Sequence, residues 1–343
     1  MLKPIYPFKP IGSVKLLALT LGTTPQHLQY IASESDRLYR LAKPQTKSDG
    51  SIRQPFDALP LLKVLHTNLK TQVLGRVKYP RYLTGSLKGS DYKVNAEQHI
   101  NKRIVICEDI TNFFPSITAA RVQDIWQGFF GFPQPVAELL TRLTTKDSVL
   151  PQGAIPSSFL ANLVLWRLEP ALHGEFADRG LTYSRYVDDI AISSKDFLSK
   201  DAQTALIADV YGMLAKVGLR AKRKKHETYS ASQRMITTKL VVNKKASLPE
   251  AKRSAIRAAV HRVEKMAEAE ISSPEFLREL HRVAVQVGQM ARFHKTQAAG
   301  LKQRLAVLRE AQRASVGVVV SRAPSPVGTE PTNVAAADLP PPW

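Results

Sequence analysis

The amino-acid sequence predicts an α+β fold, with strands in the middle of the chain and helices alone in its C-terminal part. Residues 104–107, Ile-Val-Ile-Cys, form a fully apolar run of strand length. Residues 181–186 and 190–194 are rich in β-forming residues and flank an acidic turn, which is the pattern of a β-hairpin. After about residue 246 only helical spacing remains. These three observations place a sheet in the central part of the chain.

The first 100 residues combine helical patterns with one hairpin. Residues 12–40 and 62–73 carry leucine and other apolar residues at helical spacing, and the second segment also contains Lys63. Residues 38–43 and 51–53 have the composition of strands, and the segment between them ends in Asp-Gly, a strong turn signal. We therefore expect a helical region, a hairpin and a further helix before residue 100.

Residues 101–245 carry the predicted sheet and its inserted helices. The run 104–107 is one strand, and apolar residues within 136–143 predict a helix. Pro156 is a helix start signal, so we expect a helix from Ser157 to Leu168. The hairpin of residues 181–194 places Val187-Asp188-Asp189 in its turn.

Three apolar stripes predict three helices in residues 246–315, which we interpret as a separate helical module. Their members are Ile256, Val260, Val263 and Ala267, then Leu277, Leu280, Ala284 and Val287, then Leu301, Leu305 and Leu308. From residue 316 the chain is rich in Pro, Ala and Val, has few charges and ends in Leu-Pro-Pro-Pro-Trp. We interpret residues 316–343 as a disordered tail.

The charge of the chain favours a polyanionic partner. Forty-nine Lys and Arg stand against 29 Asp and Glu, a formal net charge of +20. Such an excess suits nucleic acid, whose phosphates release counterions when Lys and Arg replace them. An anionic membrane surface is the alternative, and charge alone does not separate the two. A membrane-surface helix rich in lysine and aromatic residues would support that alternative, and none stands out.

Cysteine content and hydropathy bear on the compartment. Cys107 is the only cysteine, which excludes an intramolecular disulfide and a cysteine-rich zinc site. Residues 1–10 lack the apolar core of a signal peptide. No stretch approaches the roughly 20 apolar residues that cross a bilayer. We therefore expect a cytoplasmic protein that does not enter a membrane.

Aspartates lie at the ends of the predicted strands. Asp109 follows the apolar strand, and Asp188 and Asp189 lie in the hairpin turn. If the strands are neighbours, Asp109 and Asp188 converge, and carboxylates of this kind suit Mg²⁺. Two such ions about 4 Å apart can drive phosphoryl transfer. Because successive residues of an extended chain face opposite ways, we expect Asp188 as the main ligand and Asp189 in support. A purely structural role in the turn is the alternative.

Several motifs follow one another in a fixed order. They are Arg53-Gln-Pro, Asn95-Ala-Glu-Gln-His99, Asp109-Ile-Thr-Asn-Phe-Phe, Leu150-Pro-Gln-Gly-Ala, Leu160-Ala-Asn-Leu, Tyr186-Val-Asp-Asp, Gly218-Leu, Lys224-Lys and Gln233-Arg. Together they resemble the motifs of reverse transcriptases of the bacterial retron type, over residues 15–310. The resemblance implies a right-hand polymerase, with fingers in residues 1–100, a palm with an antiparallel sheet in 101–245 and a helical thumb in 246–315.

The same resemblance implies roles for individual residues. Metal binding falls to Asp109, Ile110, Asp188 and Asp189, of which the three aspartates are catalytic, with two Mg²⁺ ions as cofactors. Nucleotide binding falls to Arg53, Lys63, Phe114, Gln152 and Lys225. Contact with the RNA template falls to Asn95, His99, Gly153, Lys222, Arg223 and Lys224.

Each of these roles has a physical reason and a structural alternative. The guanidinium fork of Arg53 matches phosphate oxygens, with Lys63 as a second clamp, although either side chain could be a solvated charge. Phe114 resembles the ring that excludes a ribose 2′-hydroxyl, although Phe113-Phe114 beside a strand is also typical of core. Lys225 resembles a proton donor to departing pyrophosphate.

Other roles concern contact with RNA. Gln152 and Gly153 open a helix in this interpretation, and the glycine allows close approach of nucleic acid; without the flanking motifs they would be only a turn. Most of the run from Arg220 to His226 forms a solvated face that contacts phosphates. Asn95 and His99 either touch RNA or brace the fingers, and a helix-borne histidine favours bracing.

Two segments depart from the family pattern. Residues 236–239, Ile-Thr-Thr-Lys, stand where retron enzymes carry Val-Thr-Gly, so that Lys239 replaces glycine. Residues 153–156, Gly-Ala-Ile-Pro, stand where the family has Gly-Ala-Pro. Neither change touches the aspartates. Both bear on whether the chain is a standard retron enzyme and on how it would hold its RNA.

The leading hypothesis is an RNA-directed DNA polymerase that uses deoxynucleoside triphosphates to copy a structured noncoding RNA. By resemblance, a guanosine 2′-hydroxyl is the primer, the product is branched RNA-linked single-stranded DNA, and the system serves anti-phage defence with a separate effector protein. The first alternative is another defence-associated or intron-derived reverse transcriptase with a different primer. The second is a non-catalytic RNA-binding scaffold.

Overall fold

A computed structural model describes residues 1–46, 50 and 52–321 of the chain. The chain divides into two compact units, residues 1–249 and residues 250–343. The first unit mixes helices and strands, and the described part of the second is helical. Among the described residues, no helix is both long enough and apolar enough to cross a membrane.

The first unit alternates short helices with strands. Its helices are α1 (Val14–Thr20), α2 (Pro25–Ser33), α3 (Pro60–Gln72), α4 (Tyr92–Glu97), α5 (Phe113–Ser116), α6 (Ala119–Asp124), α7 (Gln134–Thr144), α8 (Ser157–Leu163), α9 (Glu169–Asp178) and α10 (Lys200–Lys216). Its strands are β1 (Tyr39–Leu41), β2 (Gln45–Thr46), β3 (Ile52–Arg53), β4 (Phe56–Ala58), β5 (Ile104–Asp109), β6 (Thr182–Tyr186), β7 (Asp189–Ser194), β8 (Glu227–Ser230), β9 (Ile236–Thr237) and β10 (Leu240–Val241). Single turns of tighter or wider helix lie at Ser35–Leu38, Leu74–Arg76, Ile125–Phe129 and Arg223–Lys225.

The largest sheet is antiparallel, in the order β6-β7-β5-β8. The predicted strand at 104–107 is confirmed as β5, which continues to Asp109. It is central in the sheet, and Val105 and Ile106 are both buried although they face opposite ways. A strand covered on both faces needs a continuous apolar run, which explains its composition. The predicted hairpin of residues 181–194 is also confirmed, as β6 and β7.

The outer edge of β6 is covered by an irregular segment. The amide of Arg185 donates to the carbonyl of Tyr82 at 2.8 Å, and the amide of Thr84 donates to the carbonyl of Arg185 at 3.1 Å. Leu83 thereby pairs with Arg185 in a parallel bridge. The hydrogen-bonding groups at this end of the edge strand are satisfied within the chain.

The predicted hairpin before residue 60 is present in a more extended form. Strand β2 pairs with β3, and the outer strands β1 and β4 pair with each other. Arg53 lies opposite Gln45 in this ribbon. Residues 47–49 of the predicted turn and residue 51 of the predicted second strand lie outside the described residues.

Two predicted helices have different bounds in the structure. The segment 12–40 contains two helices, because Gly22 takes a left-handed φ of +69° between them and Thr24 caps the second with its side chain. The second helix ends at Ser33, and strand β1 already begins at Tyr39. The helix expected from Ser157 to Leu168 ends at Leu163. Beyond it the amides of Trp166 and Leu168 bond three residues back, to Leu163 and Leu165, so the chain tightens before α9 begins.

The second unit contains helices α11 (Glu250–Glu270), α12 (Pro274–Ala291) and α13 (Lys295–Ser321), as the three apolar stripes predict. One stripe is corrected: Phe276, Val283 and Met290 are buried in α12, whereas Leu277 is 39% exposed. Helix α13 runs to Ser321, so residues 316–321 of the predicted tail are helical. The first proline after Lys295 is Pro324, and nothing earlier breaks the helix. Residues 322–343 lie outside the described residues.

Candidate active site

The acidic turn is a tight connection between β6 and β7. Tyr186 pairs with Asp189, which leaves only Val187 and Asp188 in the turn. Val187 has a φ of +59°, which is rare for a β-branched residue. A positive φ at the first central residue is the mark of a type II′ turn, where glycine is usual. The turn that carries Asp188 is therefore strained.

Asp109 is held next to this turn by the register of the sheet. It ends β5 directly opposite Asp189 of β7. The amide of Ile110 donates to the carbonyl of Asp188 at 3.0 Å, which joins the two chain segments one residue farther on. Three carboxylates from two separate segments thus lie at one end of the sheet.

The three carboxylates and their burial perturb one another. The pKa of Asp189 is raised to about 7, first by burial and then by the negative charges of Asp188 and Asp109. The pKa of Asp188 is also raised, first by burial and then by Asp109, against the opposing charges of Arg53 and Lys225. Negative charge is therefore crowded at this point, which is the condition that a bound cation relieves.

Lys225 supplies a cation to this cluster. Its Nζ lies 2.5 Å from Oδ2 of Asp109. Partial burial lowers the pKa of Lys225, but the hydrogen bond to Asp109 and the charges of all three aspartates outweigh it and raise the pKa. The segment just before Lys225 is held at the same end of β5, because the amide of Lys222 donates to the carbonyl of Asp109 at 2.7 Å.

A cavity of about 480 Å³ opens beside Asp109 and Asp188. It has the size of a site for a small ligand. Its wall combines cationic, acidic and aromatic groups, namely Arg53, Phe113, Phe114, Gln152, Asp109, Asp188, Lys222 and Lys225 among others. Most of the predicted nucleotide-binding residues are therefore together around one space.

Asp189 borders a different space. A smaller cavity of about 210 Å³ is lined by Asp189, Glu227 and Lys239, and Asp188 is not part of its wall. Asp109 and Lys225 line both cavities. The two adjacent aspartates of the turn therefore have different surroundings, and Asp109 lies between them.

The residues present fit Mg²⁺ bound together with a substrate. Over residues 1–46, 50 and 52–321, no group of three or more His, Cys, Asp and Glu side chains is arranged to hold a metal ion by itself. One oxygen of Asp109 accepts from Lys225, and Asp189 borders the other cavity. Magnesium commonly takes one or two carboxylates and completes its shell with water and substrate phosphates. The crowded pair of Asp109 and Asp188 suits that mode.

The two adjacent phenylalanines differ in exposure. Phe113 is 3% exposed and packs in the core, whereas Phe114 is half-buried. Both border the cavity beside Asp188. Asn112, with a left-handed φ of +43°, turns the chain from β5 into the short helix that carries both rings.

Gln152 and Gly153 are also adjacent to Phe56. They lie in a turn and do not open a helix as the sequence predicted, since α8 begins only at Ser157. The carbonyl of Gln152 accepts from the amide of Phe56 at 2.7 Å. Gly153 has a φ of +103°, and a Cβ there would lie 2.6 Å from the Phe56 carbonyl oxygen. Glycine is required at this position by close contact with the β4 strand, whereas the sequence interpretation assigned it to nucleic acid.

Three predicted contacts lie elsewhere. Lys63 pairs with Asp57 at 2.9 Å and is not in the wall of the cavity beside Asp188. Asn95 and His99 are 1% and 0% exposed, so neither side chain reaches a surface where RNA could touch it. The two nitrogens of His99 bond the hydroxyls of Ser184 and Ser193 at 2.7 Å each.

His99 and Asn95 therefore brace the sheet, as the structural alternative proposed. His99 joins β6 to β7, and burial lowers the pKa of its ring to about 3, which keeps it neutral. Asn95 accepts from the hydroxyl of Thr84, in the segment that covers the edge of β6. Of the remaining predicted RNA contacts, Arg223 and Lys224 are exposed.

Sequence reasoning missed a buried ion pair behind the turn. Arg185 is 0% exposed and binds Glu169, which is also 0% exposed. A signal was available, because an arginine inside a strand of otherwise buried residues must have a partner. The identity of that partner, 16 residues earlier in the chain, was not accessible from any spacing rule.

Comparisons with known proteins cover most of the chain. Residues 45–261 match the family model described as reverse transcriptase (RNA-dependent DNA polymerase). The chain is 33% identical to the retron Se72 reverse transcriptase of Salmonella heidelberg (strain 579083-10) over 306 residues, which cover 88% of this chain and 81% of that protein. It is 26% identical to the retron Ec48 reverse transcriptase of Escherichia coli over 316 residues, covering 88% and 77%. It is 26% identical to the retron Ec86 reverse transcriptase of Escherichia coli over 238 residues, covering 69% and 73%.

Proposed function

Since the chain belongs to the reverse transcriptase family and is an RNA-directed DNA polymerase of the bacterial retron type, we propose that its active site lies where Asp109 meets Asp188. The single observation that carries this proposal is the convergence of these two carboxylates beside a cavity that also contains Arg53 and Lys225. The family has the right-hand polymerase fold, and we assign residues 1–100 to fingers, 101–245 to palm and 246–315 to thumb.

The cavity beside Asp188 receives the incoming deoxynucleoside triphosphate. Arg53 binds its phosphates with the fork of its guanidinium. Phe114, the more exposed of the two adjacent rings, lies against the sugar, where it excludes a 2′-hydroxyl. Gln152 borders the same space. Lys63 is left out of this assignment because its ammonium pairs with Asp57.

Phosphoryl transfer joins the primer to the nucleotide. A primer hydroxyl gives its proton to water, and its oxygen forms a bond to the α-phosphorus. The bond from that phosphorus to the bridging oxygen breaks, and pyrophosphate leaves. When bound to Asp109 and Asp188, two divalent cations would activate the hydroxyl and stabilise the leaving oxygen. Lys225, whose raised pKa keeps it protonated at neutral pH, gives a proton to the pyrophosphate.

We further propose that the template is a structured noncoding RNA and that a guanosine 2′-hydroxyl primes the copy. The product is then single-stranded DNA joined to RNA by a branch. The support is the similarity to three retron enzymes along most of the chain. The system acts in the cytoplasm against phage, together with a separate effector protein.

Primer extension with Mg²⁺ on an RNA template tests the active site. Asp188→Asn should lower the rate of DNA synthesis by about 10³-fold or more. The variant loses a ligand of the divalent cations, which stabilise the charge of the transition state by several kcal/mol. The matched control is Asp196→Asn, which changes an aspartate in the loop after β7. Extension by Asp188→Asn at the wild-type rate would refute the assignment.

Nucleotide selection tests the role of Phe114. Phe114→Ala should raise incorporation of ribonucleotides relative to deoxyribonucleotides, because the space beside the sugar opens. Leu198→Ala removes a partly buried side chain elsewhere and should leave the ratio unchanged. An unchanged ratio in Phe114→Ala would remove the ring from this role.

Sequencing the nucleic acid that copurifies with the protein tests the retron assignment. Branched RNA-linked DNA is the expected product. DNA with an unbranched primer would favour another class of reverse transcriptase, and RNA without DNA would favour a scaffold. Plating of phage on cells with and without the wild-type gene and its neighbours then tests the role in defence.

A further inference from the structure

The turn that carries Asp188 is strained, and its conformation has to be maintained by the surrounding structure. Val187 has a φ of +59°, and left-handed backbone is unfavourable at a residue other than glycine because the Cβ approaches the carbonyl oxygen. Such conformations persist only where neighbouring groups determine them. The groups that contact Val187 are therefore candidates for control of the Asp188 carboxylate.

Arg185 reaches this turn from inside the core. Its Nη1 donates to the carbonyl of Val187 at 3.1 Å. Its Nε and Nη2 donate to the two carboxylate oxygens of Glu169 at 2.6 and 2.8 Å, and Nη2 also donates to the carbonyl of Asn162 at 2.9 Å. One guanidinium thus joins helix α9, helix α8 and the acidic turn.

A second set of contacts closes on the turn from the other side. The side-chain amide of Asn162 donates to the carbonyl of Gly85 at 2.7 Å. A Cβ at Gly85 would lie 2.4 Å from the amide nitrogen of Val187 and 2.5 Å from its Cγ2. Gly85 therefore packs directly on Val187. Asn162 connects Gly85 to Arg185, because its side chain donates to the Gly85 carbonyl and its own carbonyl accepts from Arg185.

Stability alone does not account for an ion pair at this place. Both charges are withdrawn from water, and apolar side chains of similar volume commonly give equal or greater stability than a buried ion pair. Arginine has five donors in a fixed plane, so it can bind a carboxylate and two carbonyls at once. A lysine has one ammonium and cannot span the same three partners.

We propose that Arg185 is a positioning residue of the polymerase active site. Held by Glu169, it fixes the Val187 carbonyl and thereby the direction of the Asp188 carboxylate. It touches no substrate. The inference rests on the proposed role of Asp188. It adds that this role depends on Arg185, which contacts the turn from the core.

Two variants test the proposal. The double variant Glu169→Gln with Arg185→Met removes both charges and keeps the core filled. The glutamine oxygen remains an acceptor for the hydroxyl of Tyr183, which donates to Glu169 at 2.8 Å. Arg185→Lys keeps the charge beside Glu169 and gives up the planar set of donors. In both, kcat for primer extension should fall about 10- to 100-fold, because groups that orient a metal ligand typically carry that much activity or affinity.

Binding measurements separate a positioning role from a structural one. The affinity of the protein for Mn²⁺, followed by the electron paramagnetic resonance of the free ion, should fall about tenfold in both variants. KM for the nucleotide and the affinity for RNA should stay within about twofold. The control Arg167→Met removes an arginine that is more than half exposed and paired with Asp124, and none of these quantities should change.

A second control sets the effect of lost stability apart. Leu206→Ala removes a fully buried side chain of α10. It should lower the urea concentration at the midpoint of unfolding without a change in Mn²⁺ affinity at low temperature. If either folded Arg185 variant keeps wild-type kcat and Mn²⁺ affinity, the proposal is wrong. Should Asp188→Asn itself remain active, the proposed active site fails first, and the two failures are thereby distinguishable.

Discussion

The hairpin turn between β6 and β7 and the hairpin turn between β9 and β10 both contain left-handed residues other than glycine, and they are supported very differently. The turn between β6 and β7 has one, Val187, enclosed by Arg185 and Gly85. The turn between β9 and β10 has two, with φ of +45° at Thr238 and +67° at Lys239. The hydroxyl of Thr238 supports this second turn by donating to the carbonyl of Tyr92 at 3.0 Å.

The difference in support between the two turns indicates that the strain at Val187 is linked to the position of Asp188, whereas the strain at Thr238 and Lys239 is a local feature of the hairpin. Two adjacent positive φ values are those of a type I′ hairpin turn, which Asn-Gly forms with less strain than Thr-Lys. At Lys239, which is exposed and borders the smaller cavity, the strain is a local cost of the turn. At Val187 a buried network determines the conformation, and a carboxylate of the proposed active site is the next residue. We expect changes at the first turn to alter activity and changes at the second to alter stability.

The largest expected effect follows from crowding the first turn. Gly85→Ala should lower kcat about 10- to 100-fold, because a methyl group would displace the Val187 backbone and misplace Asp188. Primer extension at saturating nucleotide measures it. The matched control is Gly174→Ala in α9, where a Cβ has open space, and where the change should raise stability by about 0.5–1 kcal/mol and leave kcat alone. If Gly85→Ala is as active as Gly174→Ala, crowding of Val187 does not affect the reaction, and the expected difference between the two turns is wrong.

The next effect concerns the pH dependence of stability without divalent ions. The pKa of Asp189 is about 7 in the folded protein, above the value of about 3.9 for an unfolded chain. The folded state therefore binds the proton more tightly, and the free energy of unfolding should fall as the pH rises from about 4 to about 7.

Asp189→Asn tests this sign. The variant should lose much of that pH dependence. At pH 8 it should be more stable than the wild type by about 1–2 kcal/mol, less than the full pKa shift implies because solvent screens part of the charge interaction. Urea unfolding at several pH values measures it. Asp201→Asn, in the first turn of α10, is the control. A variant that is less stable than the wild type at pH 8 would contradict the crowding of charge at this point.

The smallest effect belongs to the second turn. Lys239→Gly should raise the free energy of unfolding by about 1 kcal/mol, since glycine takes a positive φ without strain. Lys244→Gly is the control, because Lys244 is exposed and is not among the residues with positive φ. Denaturant unfolding measures both. If Lys239→Gly instead lowers kcat as much as Gly85→Ala does, the second turn also takes part in the reaction.

The sheet and its acidic end could be predicted because their signals are local. A central strand covered on both faces has to be apolar throughout, which made β5 visible. The hairpin of β6 and β7 shows its β-forming residues on either side of a turn. Once the two strands are neighbours, Asp109 and Asp188 have to meet, so the central pair of the candidate site follows from the pattern of strands.

Features that depend on distant contacts could not be predicted. Apolar residues predominate from Leu160 to Leu168 on both sides of Leu163, with no glycine or proline among them, so nothing local marks the end of α8 at Leu163. The ammonium of Lys63 turns to Asp57 only because β4 lies beside α3. Arg185 needed a partner, but Glu169 becomes that partner only in the folded chain. Tertiary contacts determine these three outcomes.

The bond between Lys225 and Asp109 has a consequence for the order in which ligands arrive. An ammonium already neutralises the carboxylate that a divalent ion would use. Release of that oxygen needs another anion for the lysine, and a triphosphate brings one. We therefore expect nucleotide and metal to bind cooperatively, each raising the affinity for the other. While no substrate is present, the ammonium of Lys225 takes the place of the metal ion as the counterion of Asp109.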